Sequence, residues 1–203
     1  MAGAAKDVRT RRRGRVLEEA IRDAVVELVI ELGTTGVTME AVAERAGTSK
    51  PVLYRRWPDR AALLRETLVP LAKDAIPDAD TGSYRDDMLA ILRGWSEFFS
   101  SPQGAIATAI VGAMPHDPEL AAAFRDGVIA WRKEAMAEML TRAIARGEVR
   151  SDVRIDVARE LGQAVLWHRF LVTGDEITAE LVEHVVDEIL VPYTRVREEG
   201  APS

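Results

Sequence analysis

Within the seven residues 50–56, Lys50, Tyr54, Arg55 and Arg56 gather three cations and a phenol around the apolar Val52 and Leu53. Lysine and arginine suit guanine edges and phosphate oxygens, and a tyrosine hydroxyl suits a phosphate. This is the chemistry of nucleic-acid binding rather than of bond making. Successive helix positions rotate by about 100°, so not all of these side chains can face one partner. Leu53 and Trp57 are four apart and are expected to face inward. Lys50, Tyr54 and either Arg55 or Arg56 then share an outward face. The competing reading is a basic face that meets only water.

The stretch 37–60, VTMEAVAERAGTSKPVLYRRWPDR, must position that face. It reads as two short helices joined by a tight turn. Thr38 is placed to cap the first, and Met39, Val42, Ala43 and Ala46 recur at helical spacing. Gly47 follows, where a left-handed residue is cheap only for glycine. Thr48 or Ser49 is placed to cap the second helix, and Pro51 falls in its first turn, where a missing N–H costs nothing. The result is a helix-turn-helix with a basic, aromatic second helix. A helix from about 14 to 32, with Leu17, Ile21, Ala24, Val25, Leu28 and Leu32 as its stripe, is expected to support it. Before it, Arg9, Arg11, Arg12 and Arg13 sit in a polar segment, 1–13, expected to be a flexible arm that reaches phosphates or a minor groove. Arg60 opens a fourth helix whose first N–H groups offer another phosphate site. The expected DNA contacts are therefore Arg13, Thr38, Thr48, Ser49, Lys50, Pro51, Val52, Tyr54, Arg55, Arg56 and Arg60.

The run AERAGTSKPVLYRRWPDRAALL (43–64) resembles the DNA-binding signature of TetR-type transcriptional regulators. The resemblance rests on the Ala46-Gly47 turn, the Ser49 cap, the Leu53-Tyr54 pair, the aromatic at Trp57 and the basic residue at Arg60. Similar spacing covers roughly the first third of the chain. GEVRSD (147–152) and RFLVTG (169–174) add a looser likeness to the C-terminal domain of one branch. The resemblance implies an all-α protein. Its N-terminal three-helix head would bind double-stranded DNA at a pseudo-palindromic operator. Its C-terminal helical body would bind a small-molecule effector and hold a homodimer together. The effector would favour a state in which the two heads no longer fit successive major grooves, which requires different affinities for the two states.

Charge is distributed to match. The net charge is −6. Residues 1–60 hold 12 Lys+Arg and 9 Asp+Glu, while the remainder holds 15 and 24 of the chain's 27 and 33. A basic head on an acidic body confines attraction for phosphate to one end. Hydrophobic content of 47% and charged content of 30% are those of a globular protein. No run approaches the roughly 20 apolar residues that span a membrane, and the N-terminus does not read as a signal peptide. The chain has no cysteine, which fits a reducing cytoplasm.

The expected domains are 1–65 for the head and 66–203 for the body. Helical stripes run through Tyr84, Met88, Ile91, Leu92 and Trp95, through 103–113, through 118–147, and over 155–173 and 178–191. Aromatic, methionine and polar residues of the body could line an effector cavity: Trp95, Phe98, Phe99, Met114, Phe124, Trp131, Gln163, Trp167 and His168. The plainer alternative is that the apolar ones fill a helical core. Leu161, Val165, Val182, Val185, Val186 and Ile189 lie on the last two stripes, which are wide for a monomer's surface. They are expected at a two-fold dimer interface, where Gly162 would allow close approach.

Catalysis finds no support. His116, His168 and His184 fall in different elements, and no zinc-protease, phosphate-loop or nucleophile motif is present. No cofactor or metal is expected. The alternatives that stay open are a ligand-independent DNA-binding or architectural protein, a transcriptional activator, and a helical enzyme with an incidental helix-turn-helix.

Overall fold

The computed structural model describes the backbone of residues 2–196 and the side chains of residues 16–196. Eleven α-helices follow one another, and no strand occurs among the described residues. They are α1 (Ala2–Leu32), α2 (Met39–Arg45), α3 (Lys50–Tyr54), α4 (Arg60–Ala75), α5 (Tyr84–Ser100), α6 (Pro102–Ala113), α7 (Pro118–Phe124), α8 (Ala130–Ala145), α9 (Ile155–His168), α10 (Ala179–His184) and α11 (Val191–Thr194). Three π-helical turns, Arg125–Ile129, Arg169–Thr173 and Val185–Leu190, continue α7, α9 and α10. No helix among the described residues is long and apolar enough to cross a membrane.

The chain forms two compact units. One comprises residues 1–69 with 105–127, the other residues 70–104 with 128–203. The sequence placed all of 66–203 in one body; the structure instead groups 105–127 with the head. Two observations explain this. Arg60 at the start of α4 pairs with Asp117, the cap of α7. Further along α4, Arg65 and Val69 lie so close to Gly127 that a Cβ there would meet the Arg65 side chain at 2.8 Å and that of Val69 at 3.0 Å.

In the first unit α1 buries Ile21, Ala24, Val25, Leu28 and Val29, and α2 packs on it. Of the stripe expected from the sequence, Ile21, Ala24, Val25 and Leu28 are buried and Leu17 half-buried, whereas Leu32 is 58% exposed, and the helix begins at Ala2 rather than near residue 14. The flexible arm is thus replaced by helix, since nothing between Ala2 and Arg13 is proline or β-branched except Val8 and Thr10. Arg13 belongs to that helix, but its side chain lies outside the described residues.

In the second unit α5 packs against α8, α9, α10 and the turn 185–190. Its buried stripe is Tyr84, Met88, Ile91, Leu92, Trp95 and Phe99. Val182, Val185, Val186 and Leu190 complete the same core. This corrects the expected dimer interface: Val182, Val185 and Val186 face into their own chain, leaving Ile189 exposed and Leu161 and Val165 partly buried. Gly162 is likewise internal, since a Cβ there would meet Leu190 at 2.9 Å and Leu92 at 3.2 Å.

Candidate functional site

The helix-turn-helix is built largely by local bonds. The Thr38 hydroxyl accepts from the Ala41 N–H at 3.1 Å and so caps α2. Gly47 takes φ +61°, and Thr48 N–H returns to the Ala43 carbonyl at 2.9 Å, which closes α2. Ser49 occupies the N-cap position of α3 in extended conformation, with Pro51 in the first turn, but its hydroxyl makes no capping bond. Leu53 and Trp57 are buried, and the Trp57 indole N–H donates to Glu66 at 2.9 Å. Arg45 ties α2 to α1 by donating to Glu31 at 2.7 and 3.0 Å and to Glu27 at 3.1 Å.

α3 and the turn after it expose Lys50, Pro51, Tyr54, Arg55 and Arg56, with Tyr54 49% exposed. Lys50 is ion-paired to Glu40 of α2 and holds that carboxyl below the usual range. Arg56 pairs with Glu18 of α1 at 2.6 Å and lies 5.3 Å from the Trp57 ring centre. The Arg55 side chain makes no hydrogen bond or ion pair among the described residues. Of the two arginines left open by the sequence, Arg55 is therefore the unengaged one. Val52 is half-buried and lines a cleft with Leu17, Ile21 and Trp57. Thr48 is also half-buried.

Arg60 departs from its expected place at a phosphate. Its Nε donates to the Val37 carbonyl at 2.6 Å and its Nη2 to the Thr34 carbonyl at 2.8 Å. Nη1 and Nη2 then reach the Asp117 carboxylate at 3.2 and 2.9 Å. This guanidinium fastens the loop before α2 to the cap of α7. It also draws the Asp117 carboxyl below its ordinary range.

Of the residues expected to line an effector cavity, Trp95, Phe98, Phe99 and Trp167 come together with Phe170 as touching rings. Phe99 stacks on Phe170 at 4.3 Å, and Trp167 stands 4.8 Å from Phe99 and 5.6 Å from Trp95. They fill space rather than enclose it. Trp131 is half-buried beneath the Lys73 ammonium, 5.5 Å from its ring centre. His168 is exposed, and Met114 and Phe124 belong to the unit that holds the head. Gln163 and Trp167 do line a cleft of about 310 Å³ between α8 and α9, together with Ile129, Arg132, Lys133, Arg159, Glu160 and Ala164. Arg132 and Arg159 are not among the residues expected from the sequence. A signal for the first was present: Arg132 interrupts the apolar series Val128, Met136, Met139, Ala143 at helical spacing. No group of residues suited to a metal ion occurs among the described residues.

Residues 21–67 match the family model for bacterial regulatory proteins of the tetR family, and residues 78–189 match the tetracyclin repressor-like C-terminal domain. The uncharacterized HTH-type transcriptional regulator YdeS of Bacillus subtilis is 31% identical over 179 residues, 86% of this chain and 90% of that protein. The chain belongs to the TetR family of transcriptional regulators. It is accordingly a DNA-binding regulator and not an enzyme. The DNA-binding transcriptional repressor TetR of Mycobacteroides abscessus is 28% identical over 90% of this chain and 96% of its own. Among solved structures, the TetR family transcription regulator SCO0332 superposes with a TM-score of 0.70 at 32% identity, covering 88% of this chain and 96% of that one.

Proposed function

We propose that this TetR-family protein is a repressor that binds a pseudo-palindromic operator as a homodimer and is released by a small organic effector with an aromatic or lipophilic body. The observation that carries the DNA half is the exposed α3 face, where Tyr54 and Arg55 stand free beside Lys50. Two heads about a two-fold axis address half-sites about one helical turn, or 34–36 Å, apart. Support for the dimer comes from the apolar side chains that the C-terminal unit leaves outside: Val157, Leu171, Val172 and Ile189 are exposed along α9, the turn after it and the turn after α10. Leu161 and Val165 lie between them on the α9 stripe.

The decisive experiment selects bound DNA from a random pool, then screens small molecules for release of the selected sequence. Tyr54→Ala is expected to weaken operator binding by about 1–3 kcal/mol while leaving thermal stability unchanged, because the side chain is exposed. Calorimetric or anisotropy titration at fixed salt measures it. Full operator affinity in folded Tyr54→Ala protein would remove α3 as the reader. Deleting residues 1–13 is expected to weaken binding to all sequences alike and to flatten its salt dependence; an unchanged slope of log K against log salt would count against a phosphate role for that segment.

A further inference from the structure

The cleft between α8 and α9 presents hydrogen-bond donors that have nothing to donate to. Arg132 is only 5% exposed, on the buried stripe of α8. Among the described residues its side chain makes no hydrogen bond and no ion pair, and its Nε is sealed from water without an acceptor. Its guanidinium stands 5.9 Å from the Trp95 ring centre, at the outer limit of a cation–π contact. Across the cleft, the Arg159 Nε is also buried without an acceptor. The nearest carboxylate, Glu160 on the rim, is 4.0 Å from Arg159 Nε and 3.9 Å from Lys133 Nζ, too far to hydrogen-bond to either. Beneath Arg132, outside the cleft's lining, the Trp95 indole N–H is likewise buried without an acceptor.

A largely buried guanidinium with no hydrogen-bonded carboxylate and an orphaned Nε is expensive. Burial pushes the Arg132 pKa down to about 10 against the Coulombic pull of Asp78, so the side chain is still a cation at neutral pH. What would relieve it is an acceptor that carries negative charge. A planar carboxylate fits a guanidinium fork with two parallel bonds. Of the remaining lining, Ile129, Ala164 and Trp167 are apolar and Gln163 is a neutral amide, and about 310 Å³ is at the small end of ligand sites.

We propose that this cleft is the effector site, and that it takes a small monocarboxylate with an aromatic or short acyl body, its carboxylate held by Arg132 with Arg159 beside it and its body against Trp167. The assignment rests on the reading of the chain as an effector-controlled regulator and specifies the class of effector. A cationic ligand would meet three like charges against one carboxylate.

The test uses the full-length protein with benzoate, 4-phenylbutyrate and octanoate, each beside its primary amide, and follows tryptophan fluorescence and calorimetric heat. At least one carboxylate is expected to bind ten-fold or more tightly than its amide. Arg132→Met is expected to lose that binding thirty-fold or more while its melting temperature stays level or rises, because an unpaired buried charge has been replaced by an apolar chain. Should Arg132→Met fail to fold, the less buried Arg159→Gln serves, with a five-fold or greater loss expected. Equal binding of acids and amides, no binding of any acid, or carboxylate binding untouched by the arginine substitutions would each overturn the site. Selective binding of inorganic phosphate over the carboxylates would overturn the ligand class. Operator binding by the unliganded protein is measured in parallel: its absence fails the regulator reading, whereas its presence without carboxylate binding fails this proposal alone.

Discussion

Val186→Asp is expected to unfold the C-terminal unit rather than divide a dimer. The side chain is 0% exposed and shares a core with Val182, Val185 and Leu190. An aspartate there has to bury an unpaired carboxylate or take up a proton, and it also leaves a void where the valine methyls packed. Such substitutions belong to the class that exceeds about 4 kcal/mol, a large share of the roughly 5–15 kcal/mol that holds a domain folded. Loss of the cooperative transition in circular dichroism is the expected result. Val172→Asp is the matched control, because Val172 is 70% exposed on the proposed interface. It is expected to keep the melting temperature within about 2 °C, corresponding to less than about 1 kcal/mol, and to shift the sedimenting mass from dimer to monomer. A folded, monomeric Val186→Asp protein would instead return Val186 to the interface.

Arg60→Ala is expected to destabilise the unit that carries the head by about 2–3 kcal/mol, since charge-assisted bonds to Asp117 and to the Val37 and Thr34 carbonyls are lost, Thr34 keeping the Val37 N–H. Side-chain exposures of 18% for Arg60 and 17% for Asp117 place the pair between surface and core, so the upper range for buried ion pairs does not apply. A phosphate-contacting arginine would behave differently: its loss would weaken DNA binding and leave the melting temperature alone. The pH dependence has a definite sign. Arg60 lowers the Asp117 carboxyl below its ordinary value of 3.8, so the pair's contribution is complete above that pH and is lost as pH falls through the lowered value. Wild-type protein is therefore expected to lose more stability than Arg60→Ala between pH 5 and pH 2. Parallel stability curves for the two proteins would show that Arg60 does not act through Asp117.

Local chemistry was the legible part. The Thr38 cap, Gly47 at positive φ, Pro51 in the first turn of α3 and the inward pair Leu53 and Trp57 depend on residues within five positions of one another, and each can be read along the chain. Arg60 could not be read that way, because its acceptors lie 23, 26 and 57 positions distant. Its basic type indicated an anion, and the anion turned out to be the chain's own. For Val182, Val185 and Val186 the apolar stripe was visible but not the surface that covers it. Periodicity reports that a face is dry, not whether the neighbour is α5 or a second copy. The aromatic residues told a similar story: their number suggested a cavity, while their ring-to-ring contacts show a filled interior. Of the arginines beside it, Arg132 could be read from its place in the apolar series of α8, whereas Arg159 carried no such signal.

The ion pair between Lys50 and Glu40, with that between Arg56 and Glu18, bears on how the protein travels through a genome. DNA that draws on either cation must first displace a carboxylate, so one ion pair is exchanged for another. The net electrostatic gain on an arbitrary sequence is then smaller than the count of basic residues suggests. Sites elsewhere in the genome, on the order of 10⁶–10⁹ of them, compete for each molecule. A head with Lys50 and Arg56 already occupied leaves those decoy sites sooner, and dwells where base edges repay the exchange.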